Sequence, residues 1–104
     1  LFTQTLWQLA LSIPTGRVTT YATLAVAAGG HPMMAQMVTH ILGKYPHPEE
    51  IPWHRIVYAN GRVWFDPERQ KERLAQYQKE GIELDKDYKI KDFEKIIYTF
   101  PDFT

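Results

Sequence analysis

The stretch YATLAVAAGGHPMMAQMVTHIL, residues 21–42, decides the fold. Tyr21 to Ala28 has the composition of a short helix, and Thr19 or Thr20 supplies a side-chain oxygen to cap its start. Gly29-Gly30 end that helix, because glycine takes positive φ without a Cβ penalty. Pro32, with His31 before it, suits the first turn of a new helix, where a missing N–H has no bond to lose. Met34, Met37, Val38, Ile41 and Leu42 recur at helical spacing and predict one buried face, and Gly43 closes the helix. Two short helices across a tight glycine turn read as a helix-turn-helix, with residues 32–42 as the recognition helix. As a bare pattern this is only moderately specific, since many helical pairs share it.

Upstream, Phe2, Leu6, Leu9, Ala10 and Ile13 predict an amphipathic helix over residues 2–12, with Trp7 packing beside the stripe. Pro14-Thr15-Gly16 stops it. Downstream, Lys44 to Glu50 reads as a surface loop. Ile51-Pro52-Trp53-His54-Arg55-Ile56-Val57 then sets a proline, an aromatic, an imidazole and a cation between apolar brackets. Pro52 presets its own φ and pushes Ile51 to an extended conformation. Ile56-Val57 begin a short buried strand or core segment, so the polar trio is held against the core. Asn60-Gly61 predicts a turn, and Val63-Trp64-Phe65 a strand, wing or lid. Asp66-Pro67 opens a helix over residues 68–80 that Gly81 ends, with Leu74 and Tyr77 inward and the alternating charges around Glu68 and Glu72 in solvent. A short strand near Tyr88–Ile90 and a helical turn near Asp92–Ile96 complete the expectation. The predicted fold is mainly α: one small helix-turn-helix, winged-helix-like domain over residues 1–104 with a short β element.

The 104 residues suffice for a single core, and 44% apolar with 23% charged residues is an ordinary globular balance. No apolar run is long enough to span a membrane, and nothing at the N-terminus reads as a signal peptide. The chain opens at Leu1 without a methionine, as a trimmed chain or fragment does. The absence of cysteine excludes disulfides, thiolate metal sites and a thiol nucleophile. Net charge is zero, but residues 1–65 carry Arg17, Lys44, Arg55 and Arg62 against Glu49 and Glu50 alone. Residues 66–104 carry eight basic and ten acidic side chains, and all four histidines lie before them. Any nucleic-acid face therefore belongs to the N-terminal two-thirds, although random scatter accounts for this asymmetry about as well.

Pro52-x-His54-Arg55 followed by two apolar residues resembles the Pro-Cys-His-Arg signature of the O6-alkylguanine-DNA alkyltransferases, with Trp53 at the cysteine position. Ile13-Pro14-x-Gly16-x-Val18-x-Thr20-Tyr21 resembles that family's entry to its helix-turn-helix. The spacing from Pro32 to Pro52 and the later Glu80-Gly81 also match, so the resemblance runs from about Phe2 to Leu84. Tryptophan for cysteine in a short chain is similar to the alkyltransferase-like proteins. Members of that group bind O6-alkylguanine without transferring the alkyl group and hand the lesion to nucleotide excision repair.

The resemblance implies a helix-turn-helix in the minor groove and a damaged nucleotide flipped into a pocket. Tyr21 matches the tyrosine that helps rotate the nucleotide. Trp53 is expected on the pocket wall, and the carbonyls of Trp53 and Ile56 match groups that read the guanine edge. Met33, Ala35, Gln36 and Thr39 are candidate DNA contacts on the recognition helix, and Trp64 on a short substitute for the family's glycine-rich lid. Arg55 joins the candidate interface, although its expected role is to tie neighbouring loops by hydrogen bonds to carbonyls. His54 and Glu80 match the pair that activates the cysteine and are expected to be structural without one. No cofactor or metal is implied. The implied partners are duplex DNA containing O6-alkylguanine and excision-repair proteins; no membrane is involved, and the chain is expected to be a monomer, cytoplasmic or nucleoid-associated, or nuclear in a eukaryote.

The departures are specific. The family's finger arginine falls at Gln36, small residues fall at Thr39 and His40, and a bracing asparagine falls at Tyr45. Gln36, Thr39 and His40, with the zero net charge, favour an alternative: a diverged helix-turn-helix scaffold acting as a protein-interaction or regulatory module without lesion selectivity. Catalysis through His54 and Glu80 has neither a nucleophile nor a metal set beside it.

Overall fold

The computed structural model describes residues 1–63 and 67–100. Helix α1, Phe2–Leu11, turns Leu6, Leu9 and Ala10 fully inward. Each buried leucine contributes about 2 kcal/mol relative to an exposed one. The Trp7 indole donates a 2.8 Å hydrogen bond to the Ile41 carbonyl and so ties α1 to the helix that crosses it. Strand β1, Thr19–Thr20, leads directly into α2, Tyr21–Ala27. Thr20 Oγ1 accepts the Thr23 amide at 3.0 Å, the cap expected from the sequence. Gly29, at φ +96°, follows the helix end as expected.

The recognition segment differs in detail from the expectation. Pro32–Met34 form a 3-10 turn, and the α-helix proper, α3, is Ala35–Gly43. His31 caps the turn: its Nδ1 accepts the Met33 amide at 3.2 Å, and its own amide donates to Met34 Sδ at 3.4 Å. Gly43 is the last residue of the helix rather than the residue after it. Val38 and Leu42 face the core, whereas Met37, expected inward, is 50% exposed. Its neighbours Val38 and Leu42 already fill the seam against α1 and α2, and Met37 lies one residue round the helix from them.

Short 3-10 turns at Pro48–Glu50 and Trp53–Arg55 bring the chain to β2, Ile56–Val57. β1 and β2 pair in parallel, Thr19 opposite Ile56 and Thr20 opposite Val57. Successive side chains of a strand point to opposite faces. Ile56 accordingly joins the core of α1, α2 and α3, while Val57 joins a second cluster with Val18, Val63, Tyr77, Ile82 and Ile90. The strand pair thus sits between two cores and fixes the residues on either side of it.

Helix α4, Gln70–Lys79, packs Tyr77 into the second core. Leu74, expected inward, is 39% exposed, because the inward face of this short helix is taken by Tyr77 alone. Near Tyr88–Ile90 there are isolated bridges, Arg62 to Lys89 and Leu84 to Ile90, rather than a strand. Helix α5, Phe93–Ile96, matches the expected helical turn. The chain then pairs beside β1, with the Tyr98 amide donating to the Val18 carbonyl at 2.7 Å. Trp64 and the Asp66 cap lie outside the described residues. No helix is long and apolar enough to cross a membrane among the described residues. The observed architecture is mainly helical with a two-stranded sheet, as expected.

Candidate nucleic-acid interface

Tyr21 and Tyr58 each follow directly on a strand of the parallel pair. Because Thr20 lies opposite Val57, the next two residues emerge side by side, with ring centroids 5.8 Å apart and planes at 48°. They form one side of a cleft of about 530 Å³. Ala35, Gln36 and Thr39 of α3 line it together with Trp53, and so do Arg73 of α4 and Arg69 at that helix's N-cap. The volume is that of a small-molecule pocket, for which roughly 300–1,000 Å³ is usual.

Five of the nine residues expected from the sequence therefore meet at one place: Tyr21, Ala35, Gln36, Thr39 and Trp53. Met33 lies outside the cleft, 80% exposed on the turn before α3. Ile56 is 1% exposed and its side chain lies in the core, so only its backbone carbonyl, the group expected to read the guanine edge, remains a candidate. Arg55 is likewise turned away. Its Nη1 donates to the Ile13 carbonyl at 3.0 Å and its Nη2 to Thr15 Oγ1 at 3.1 Å. It is a loop tie, as its expected structural role required, and does not line the cleft. Trp64 lies outside the described residues.

Burial raises the Tyr21 phenol above its ordinary value, the neighbouring Tyr58 adds to this, and Arg73 and Thr39 oppose it. Tyr21 is therefore a protonated donor at neutral pH. The Trp53 indole is anchored by a 3.1 Å hydrogen bond from Nε1 to the Pro48 carbonyl.

Behind Trp53, Glu80 gathers three elements. Its Oε1 accepts the Gly16 amide at 2.8 Å and Arg55 Nε at 3.0 Å, and its Oε2 accepts Arg55 Nη2 at 3.0 Å. His54 Nε2 bonds the same Oε2. Burial alone would raise the Glu80 carboxyl, but Arg55, the Gly16 amide and His54 outweigh it and hold it at about 2. Burial lowers the imidazole of His54 in spite of Glu80, so it is neutral at pH 7 and donates its Nε2 proton. The pair welds the Pro14–Gly16 turn, the Trp53–Arg55 turn and the end of α4 together, which is the structural role expected of it.

A second cleft, of about 720 Å³, opens on the other side of Trp53. It is larger and its lining balances Glu49, Glu50 and Glu72 against Arg55, Arg69 and Arg73, and neither Tyr21 nor any residue of α3 borders it. Tyr21 and Gln36 belong to the smaller cleft alone. Among the described residues no group of three or more carboxylates and histidines is placed to hold a metal.

Tyr58, Arg69 and Arg73 are site residues that the sequence reading missed. Tyr58 enters the cleft only through the in-register pairing of β1 with β2, a contact between distant segments. Arg69 and Arg73 are four positions apart, so their spacing is legible in the sequence, but alternation with Glu68 and Glu72 gives it the pattern of a solvated face.

Residues 1–82 match the family described as 6-O-methylguanine DNA methyltransferase, DNA binding domain. A protein of Escherichia coli K12 named DNA base-flipping protein is 39% identical over 75 residues, which cover 71% of this chain and 57% of that protein. The chain thus spans a little over half the length of that relative. Alkyltransferase-like protein 1 of Schizosaccharomyces pombe is 36% identical over 78 residues, covering 69% of this chain and 68% of that one. The fold is similar to that of S. pombe Atl1 in a crystal structure in complex with damaged DNA containing O6-carboxymethylguanine, with a TM-score of 0.72 at 21% identity, covering 93% of this chain and 94% of that one. The match over residues 1–82, most of the chain and including the elements that line the cleft from Tyr21 to Arg73, shows that this chain belongs to the 6-O-methylguanine DNA methyltransferase DNA-binding-domain family.

Proposed function

We propose that this chain is a non-enzymatic sensor of O6-alkylguanine in duplex DNA, which docks α3 in the minor groove and receives the damaged nucleotide, flipped out of the helix, in the cleft between Tyr21 and Trp53. The observation that carries the reading is that cleft: Tyr21, Trp53 and Tyr58 on its sides and the exposed Gln36 at its edge. Extruding a base costs a few kcal/mol, least when it is poorly paired, as an alkylated guanine is. Contact with an aromatic face returns about 1–3 kcal/mol per base. The Tyr21 hydroxyl is a donor for the nucleotide as it turns. Residues 1–48 carry Arg17 and Lys44 and no carboxylate, which suits a phosphate backbone.

The chain has no cysteine, and an indole is a donor without useful nucleophilicity. The lesion would therefore be held and not repaired, and passed to nucleotide excision repair proteins in the compartment that holds the DNA. Incubation with a duplex whose O6-methylguanine carries a labelled methyl group tests this. The expected result is a complex in which the label stays on the DNA and the protein mass is unchanged. Label on the protein would contradict it.

A further inference from the structure

Along α3 and the residues on either side of it run exposed side chains: Met33 on the 3-10 turn, Gln36, Met37 and His40 on the helix, and Lys44 just after it. Two methionines flank the glutamine that takes the place of the finger arginine. Met33 is 80% exposed and Met37 50% exposed, among the largest apolar exposures of the molecule. Neither is loose by construction. The His31 cap fixes the backbone at Met33, and Met37 lies within the first turn of α3. Their neighbours on the next face, Ala35, Gln36 and Thr39, line the cleft, so the methionine surface is continuous with the proposed lesion site.

We propose that Met33 and Met37 form an apolar wedge that enters the base stack beside the extruded nucleotide, with Gln36 between them on the edge of the unpaired partner base. The proposal rests on the lesion-flipping reading of the cleft. The occupant is the minor groove of DNA, for two reasons. This run of side chains carries no carboxylate and ends in His40 and Lys44, which suits phosphate. The gap left by a flipped base is flat and apolar, and methionine is among the side chains able to fill such a gap. Its unbranched, polarizable thioether adapts to whichever base face it meets. An arginine finger combines stacking with charge; here the two tasks are divided, with stacking on the methionines and charge at the far end of the helix.

The test is a titration of the chain and four variants, Met33→Ala, Met37→Ala, their double variant and Met37→Leu, with matched duplexes containing O6-methylguanine or guanine at one fixed salt concentration. The double variant is expected to lose about tenfold or more in affinity for the lesion duplex, from the apolar contact removed. Affinity for the guanine duplex changes less, Met37→Leu stays near the unaltered chain, and melting temperatures are unchanged because both side chains are exposed. Equal losses on both duplexes, or a leucine variant as weak as the alanine one, would overturn the wedge. So would an unaltered double variant, which would assign the patch to a protein partner while the unaltered chain's preference for the lesion kept the sensor reading intact. A chain that binds both duplexes alike would overturn the sensor reading and the wedge together.

Discussion

The Trp53 indole donates its Nε1 proton to the Pro48 carbonyl at 3.1 Å, which anchors a ring that lines two clefts. A freely rotating side chain would have to be ordered each time a base arrived; this one is ordered beforehand. Trp53→Ala is expected to weaken binding to an O6-methylguanine duplex by about tenfold, from the lost aromatic face. Trp53→Phe, which keeps a ring and loses the donor, falls between the two. Affinity measured by titration, beside melting curves that register any loss of fold, checks the ranking.

Acid should unfold the protein through Glu80 and His54. Folding holds Glu80 at about 2 against 4.5 for the free group, and holds His54 below 6.5. Both groups bind protons more readily in the unfolded chain, so stability rises with pH across this range. The His54 contribution is complete above pH 6.5 and is lost as pH falls through its folded value. The Glu80 contribution is complete above pH 4.5 and is lost towards pH 2. Glu80→Gln is expected to cost about 3 kcal/mol at pH 7, because it strands the Arg55 guanidinium. It should also flatten the melting-temperature profile below pH 4.5. An unaltered profile in the variant would contradict this account.

Gly61 sits at φ +84°, and a Cβ there would lie 3.1 Å from Cγ of Phe93 and 3.3 Å from its Cβ. Both the backbone and the space reject a side chain. Gly61→Ala is expected to destabilise by about 2 kcal/mol, from strain and overpacking together. Denaturant unfolding at pH 7 measures it.

The Tyr77 hydroxyl is buried and has no hydrogen-bond partner among the described residues. Its ring packs edge-on against His54, with centroids 5.9 Å apart. Tyr77→Phe keeps that packing and removes a desolvated hydroxyl. It is expected to be neutral or to stabilise by up to about 1 kcal/mol. A fall in melting temperature would show that the hydroxyl has a partner.

Gln36 lies at the edge of the cleft and is exposed. Gln36→Arg adds a cation and a planar group that stacks. DNA affinity is expected to rise severalfold at low salt, and the gain should shrink as salt rises. No gain at low salt would count against a minor-groove role for α3.

Local patterns carried most of the fold. The spacing of Leu6, Leu9 and Ala10, the Thr20 cap, the Gly29 helix end and the Asn60-Gly61 turn all depend on neighbours a few residues away, and each is found where the sequence put it. Errors arose where distant segments decide. Met37 and Leu74 fit an inward helical stripe, but the seams they would fill are occupied by other residues. Tyr88–Ile90 has the composition of a strand and meets its partners only at single bridges. At the site, Tyr21, Gln36 and Trp53 were legible through motif spacing. Tyr58 was not, since its place beside Tyr21 depends on the register of two strands separated by α2 and α3.

The most direct measurement is a fluorescence titration of the unaltered chain, at stated salt, with two short duplexes that differ only in O6-methylguanine or guanine at one position. Tighter binding to the methylated duplex is the predicted result, because the weaker pair is cheaper to open and the cleft rewards the extruded base. Equal, weak binding to both would contradict the account and leave a helix-turn-helix scaffold without lesion selectivity.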